Sequence, residues 1–91
     1  MKETVNWAEV PAAQYPILKN KVKTPLFWIK DGSRQSIYVD PKTRNYYHKD
    51  PLHGEVEVYD TRGRHIKVLL PTGEEHPVRK AKKGRSINAF L

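Results

Sequence analysis

Ninety-one residues with 17 Lys+Arg against 10 Asp+Glu carry a formal charge of +7, and 37% hydrophobic content allows one small domain with a thin core. The absence of cysteine excludes disulfides, thiolate metal sites and a cysteine nucleophile. No apolar run approaches the roughly 18 residues of a membrane span, so a mean hydropathy of −0.78 reads as a soluble domain that does not insert into membranes. The basic balance points to a polyanionic partner: nucleic acid, a membrane surface or an acidic protein.

In chain order, "MKETVNWAEV" lacks the apolar stretch of a signal peptide, so any export signal is expected in a longer parent chain. Prolines 11, 16 and 25 limit the first quarter to one short helix within "AAQYPILKNK". From residue 26 the pattern changes to short β-type runs separated by turn residues: "LFWIK" (26–30), "SIYVD" (36–40), "YYH" (46–48), "GEVEVY" (54–59) and "HIKVLL" (65–70). "HPVR" (76–79) is a weaker edge strand because of its proline. No repeat stands out. The reading is mainly β: a single twisted antiparallel sheet with a short N-terminal helix. Residues 1–91 form one domain, with 1–25 helical or irregular and 26–91 the sheet and a basic C-terminal segment.

Faces follow from the loop "DTRG", which predicts a type I turn with a G1 bulge, Gly63 left-handed and Asp60 paired with Arg64. Continuing that register sets Val58 against Ile66 and Val56 against Val68 on the core side. Glu57 then faces Lys67, Tyr59 faces His65 and Glu55 faces Leu69 on the other. A polar sheet face open to water is the ordinary reading of such residues. His48 and His65 read as solvated strand residues and His76 as a loop residue.

The stretch "DPLHGEVEVYD" (50–60) is the anomaly: four acids and a histidine crowd into eleven positions of a basic chain. Metal-free RNA cleavage needs a base for the ribose 2′-OH, an acid for the leaving 5′-oxygen and a cation for the charge on phosphorus. Carboxylate and imidazole suit the first two roles, and arginine the third. Two carboxylates two residues apart on one strand face raise each other's pKa toward the range of a useful base. Downstream, Arg79, Lys80, Lys82, Lys83 and Arg85 fall within seven residues. The lysines fit either a solvated tail or phosphate contacts. Arg85 precedes "SINAFL", whose Ile87 and Phe90 offer anchors.

These residues resemble the cytotoxic ribonuclease domain of the colicins and cloacin, also found in some contact-dependent growth inhibition toxins. The likeness rests on Tyr47-x-x-Asp50-x-x-His53-Gly54-Glu55-x-Glu57-x-Tyr59 and on Arg85-x-Ile87-x-x-Phe90-Leu91. The glycine- and lysine-rich approach of that family to the first motif is replaced here by "DGSRQSIYVDPKTRN". The resemblance implies a twisted antiparallel sheet and cleavage of 16S rRNA near the decoding centre. It implies Glu57 as general base, His53 as general acid, Asp50 as the carboxylate working with it, Glu55 as a supporting acid and Arg85 as the transition-state cation. Tyr47, Tyr59, Lys67, Lys80, Lys82 and Lys83 are the expected RNA contacts. It implies no metal and no cofactor, the ribosome as target and a small acidic immunity protein as partner. The domain is then expected to be exported as the C-terminal part of a larger toxin and to act in the target-cell cytoplasm. Two other readings stay open. One is a non-catalytic RNA-binding module stacking bases on Trp7, Trp28 and the tyrosines. The other is a metal-dependent nuclease using Asp50, His53 and Glu55.

Overall fold

Five strands pair in chain order in the computed structural model, which describes residues 5–30 and 33–80, with side chains for 5–27 and 34–80. They are β1 (Val22–Lys30), β2 (Ser33–Val39), β3 (Tyr46–Lys49), β4 (Val56–Tyr59) and β5 (His65–Leu69), every neighbouring pair antiparallel. The chain is therefore mainly β, as its sequence predicts. Among the described residues, no helix is long and apolar enough to cross a membrane.

The expected N-terminal helix is instead two single 3-10 turns, Ala12–Gln14 and Pro16–Leu18. Pro16 is the physical reason. It holds Tyr15 extended, at φ −68° and ψ 129°, which breaks any continuous helix between the turns. Pro25 sits in edge strand β1, where the pairing shifts between Lys23 and Phe27. There the Thr24 hydroxyl donates to the Ile37 carbonyl (2.8 Å) and accepts from the Leu26 N–H (3.1 Å). On the far edge "HPVR" forms no strand: a single bridge joins Leu69 to Glu75 just before it, the His76 N–H donates to the Val68 carbonyl (2.8 Å), and Pro77 follows.

The three loops that open on Asp40, Asp50 and Asp60 repeat one construction. Each aspartate's carboxylate accepts backbone N–H groups of its own loop, from Lys42 (2.7 Å), Leu52 (2.8 Å) and Arg62 (2.9 Å) respectively. Each loop has a left-handed residue just before its last member: Arg44 (φ 67°), Gly54 (φ 74°) and Gly63 (φ 80°). These Asx turns fix the hairpins locally. Part of the acid crowding in 50–60 is therefore turn chemistry.

The predicted "DTRG" turn forms: the Asp60 N–H donates to the Arg64 carbonyl at 2.9 Å, and Tyr59 pairs with His65. The register beyond it does not hold. Tyr59 pairs with His65 but Val58 with Lys67, leaving Ile66 as an extra bulged residue. The bulge moves every later β5 residue to the other face. Val56 opposes Leu69, Glu57 opposes Val68, and Lys67 lies across from Val58 instead of Glu57.

Each face of the sheet is defined by its cross-strand rows. One carries Tyr38, Tyr47 and Val58 in line, then Val56 with Leu69. With Tyr15 and Leu18 from the N-terminal segment these form the hydrophobic core, and Trp7, Val10, Ala12 and Ile17 pack against it. The other carries two rows, Ile37–His48–Glu57–Val68 and Val39–Tyr46–Tyr59–His65.

Candidate active site

That second face is not the open, solvated surface its polar residues predict. His48 is 4% exposed, Glu55 8% and His65 7%, with Ile37, Tyr59 and Val68 buried among them. Burying charge-capable groups costs free energy unless each is engaged. The described contacts meet this in part.

Asp50 and His53 sit in the loop joining β3 to β4. The Asp50 Oδ1 accepts the Leu52 and His53 N–H groups, and Oδ2 lies 2.8 Å from His53 Nδ1. That contact directs Nδ1–H at the carboxylate and leaves Nε2 outward on a side chain 38% exposed. Burial alone pushes the Asp50 carboxyl up, but the His53 and backbone hydrogen bonds and the imidazole charge outweigh it and hold it below the usual carboxylate range.

Gly54 is required on two counts: φ is +74°, and a Cβ would stand 2.6 Å from the Ala8 nitrogen and 2.8 Å from the Trp7 carbonyl carbon. The chain at residues 7–10 is strapped across this loop. The Tyr15 hydroxyl lies between the carbonyls of Trp7 and Gly54, the latter at 2.8 Å. Lys49 Nζ donates to the Ala8 (2.9 Å) and Val10 (2.6 Å) carbonyls. Trp7 packs edge-on against the Tyr15 ring at 5.3 Å. Burial, then the nearby Asp50 charge, pushes the Tyr15 hydroxyl up to about 12.

Glu55 and Glu57 share the second face and are engaged separately. Glu55 Oε1 accepts from Arg79 Nε at 3.1 Å and its Oε2 lies 3.4 Å from His76 Nε2. His76 Nδ1 accepts the Val78 (3.1 Å) and Arg79 (2.8 Å) N–H groups, so its proton sits on Nε2, toward Glu55. Glu57 Oε2 lies 3.6 Å from His48 Nδ1 and 3.4 Å from the Tyr59 hydroxyl. The Tyr59 ring rests on His65 with centroids 5.1 Å apart. A small cleft opens beside Val68, His76 and Arg79, and Lys67 and Lys80 also line it.

Of the predicted site residues, the structure brings together Asp50 with His53, and Glu57 with Tyr59. Tyr47 belongs to the core on the opposite face, so its ring is not available to a base. Tyr59 is fully buried and touches Glu57 with its hydroxyl instead of offering a stacking surface. Lys67 does not oppose Glu57, because of the Ile66 bulge. Lys80 is exposed beside the cleft. Arg85, Lys82 and Lys83 lie outside the described residues, as does the Trp28 side chain. His48, Gln35, His76 and Arg79 escaped the sequence reading as site residues, and His48 and His65 are buried, not solvated. No three His, Asp or Glu side chains among the described residues are grouped to hold a metal ion.

Fold and site together define a small β-meander domain with imidazole–carboxylate pairs on one sheet face. Residues 10–88 match the family model described as Cytotoxic, and the chain belongs to that family. It is thus a toxin domain, in agreement with the resemblance to the colicin and cloacin cytotoxic domain. No curated protein matches the chain.

Proposed function

We propose that this toxin domain is an endoribonuclease that cleaves 16S rRNA near the decoding centre and so blocks translation. The observation that carries the reading is the Asp50–His53 contact of 2.8 Å on the hairpin that also presents Glu57. Glu57 takes the proton from the ribose 2′-OH. The 2′-oxygen attacks phosphorus, and the 5′-oxygen leaves with a proton from His53 Nε2, giving a 2′,3′-cyclic phosphate and a free 5′-OH. Asp50 holds the imidazole by Nδ1 and leaves Nε2 to face the leaving oxygen, as an acid requires. Glu55 supports the site as the anchor of Arg79 and His76. Arg85 is the cation that meets charge growing on phosphorus. Lys67, Lys80, Lys82 and Lys83 attract RNA phosphates.

Of the three donors of the metal-dependent alternative, Asp50 and His53 are bonded to each other and Glu55 is tied to Arg79 and His76, which supports a mechanism without metal or cofactor. A producing cell needs an inhibitor, and a charge of +7 favours a small acidic immunity protein. Export as the C-terminal part of a larger toxin, with action in the target-cell cytoplasm, completes the proposal.

The test is RNA cleavage by folded variants. Glu57→Gln and His53→Ala are each expected to lower single-turnover cleavage by roughly 10²–10⁴-fold. Near wild-type cleavage by folded Glu57→Gln would remove Glu57 as the base.

A further inference from the structure

His48 occupies the row position directly across from Glu57, with its side chain almost wholly buried. Its Nε2 lies 2.7 Å from Gln35 Oε1 on β2. An amide oxygen only accepts, so Nε2 carries a proton and donates it. In neutral His48 the lone pair is then on Nδ1, aimed at Glu57 Oε2 at 3.6 Å. That approach lets one proton be shared between Nδ1 and Oε2.

We infer that Gln35, His48 and Glu57 form a positioning relay in which His48 sets how readily Glu57 accepts a proton from RNA; the inference rests on the reading of Glu57 as the base. With no proton between them, Glu57 is a full carboxylate beside a lone pair and pulls strongly on the 2′-OH. When the pair binds one proton, it sits on His48 Nδ1. The imidazolium then offsets the Glu57 charge and weakens its pull. During turnover the 2′-O–H bond breaks and a bond from that proton to Glu57 forms. The proton then passes from Oε2 to Nδ1, regenerating the carboxylate, and leaves to solvent after the product.

Other titratable groups lie close to the pair. Tyr59 on β4 touches Glu57, and His65 on β5 stacks on Tyr59. On β5 the residue opposite Glu57 is Val68. Glu55, the next carboxylate on this face, is tied to Arg79 and His76. The relay assigns the acidic limb of the rate profile to the His48–Glu57 pair.

The experiment is the pH profile of single-turnover cleavage at saturating RNA for wild type, His48→Gln, Gln35→Glu and Glu57→Gln. Glutamine at 48 donates to Glu57 but cannot bind a proton, so the acidic limb moves down by about one pH unit or more. Glutamate at 35 favours the imidazolium, so the limb moves up. Apparent RNA affinity stays at the wild-type value in both. If both variants fold and neither limb moves, or both move the same way, His48 only packs the sheet and the relay is overturned. If His48→Gln fails to fold, the upward shift in Gln35→Glu decides alone. Wild-type rates from Glu57→Gln would overturn the base assignment instead, whatever the other two variants show.

Discussion

Gly54 shows how one position serves both fold and chemistry. It closes the hairpin with a positive φ and lets the backbone of Trp7 and Ala8 lie against the loop that holds Asp50 and His53. Gly54→Ala is expected to cost more than about 1 kcal/mol of stability, read as a lower urea midpoint, and to reduce cleavage further because the loop shifts. Asp60 has a purely structural counterpart of the Asp50 role. Its backbone hydrogen bonds, led by that from Arg64, hold it below the usual carboxylate range. Asp40 is held low in the same way, chiefly by the Lys42 N–H. A depressed folded pKa adds stability above the unfolded value of roughly 4 and loses it as pH falls through the folded value. Thermal midpoints are therefore expected to drop below about pH 4, and Asp60→Asn to flatten that drop by lowering stability at neutral pH but not at pH 2. At this scale the crowding of acids in 50–60 is visible in the sequence, and the family motif is legible there. It did not separate acids that cap turns from acids that act. That separation needed the hydrogen bonds, although aspartates at 40, 50 and 60, each opening a loop, were a visible cue.

The β3–β4 hairpin and the strap across it are the elements that build the site. The pairing of Asp50 with Glu55 fixes Lys49 opposite Val56 and His48 opposite Glu57. Reading "DPLHGE" as a four-residue loop would have placed His48 beside Glu57 from sequence alone. The β5 register was not legible. Ile66 has nothing in its chemistry to mark it as the bulged residue, and only packing of Leu69 in the core and Val68 on the other face selects the bulge. The N-terminal strap was equally hidden, because Tyr15 and Lys49 act on carbonyls distant in sequence. Tyr15→Phe leaves the Gly54 and Trp7 carbonyls without this donor and is expected to cost about 1–3 kcal/mol. The hydroxyl also makes an alkaline prediction. Its folded pKa, raised to about 12, contributes stability fully present below the unfolded value near 10 and lost as pH rises through the folded one. Unfolding followed by circular dichroism should show wild type losing stability between pH 10 and 12 more steeply than Tyr15→Phe.

Across the whole molecule, a charge of +7 surrounds a face whose carboxylates are already engaged by imidazoles and arginine. The net field attracts a polyanion while the acids stay local, which is how a basic protein concentrates carboxylates without repelling RNA. Encounter with the proposed ribosomal target and the proposed acidic inhibitor should slow as salt rises. Arg85→Ala should lower the saturated single-turnover rate more than Lys82→Ala or Lys83→Ala, since a cation on the reacting phosphate acts on the transition state and general attraction does not. The central claim, a toxin domain that cuts ribosomal RNA by side-chain acid–base chemistry, is tested most directly on intact ribosomes. Purified wild type and Glu57→Gln, both folded, are incubated with ribosomes in excess EDTA relative to the protein's own metal content, with magnesium retained for the ribosome, and cut ends are mapped by primer extension. The account predicts one cut in 16S rRNA near the decoding centre with wild type, undiminished by chelation, and none with Glu57→Gln. Intact RNA after wild-type treatment, or cleavage that chelation abolishes and zinc or manganese restores, would contradict it.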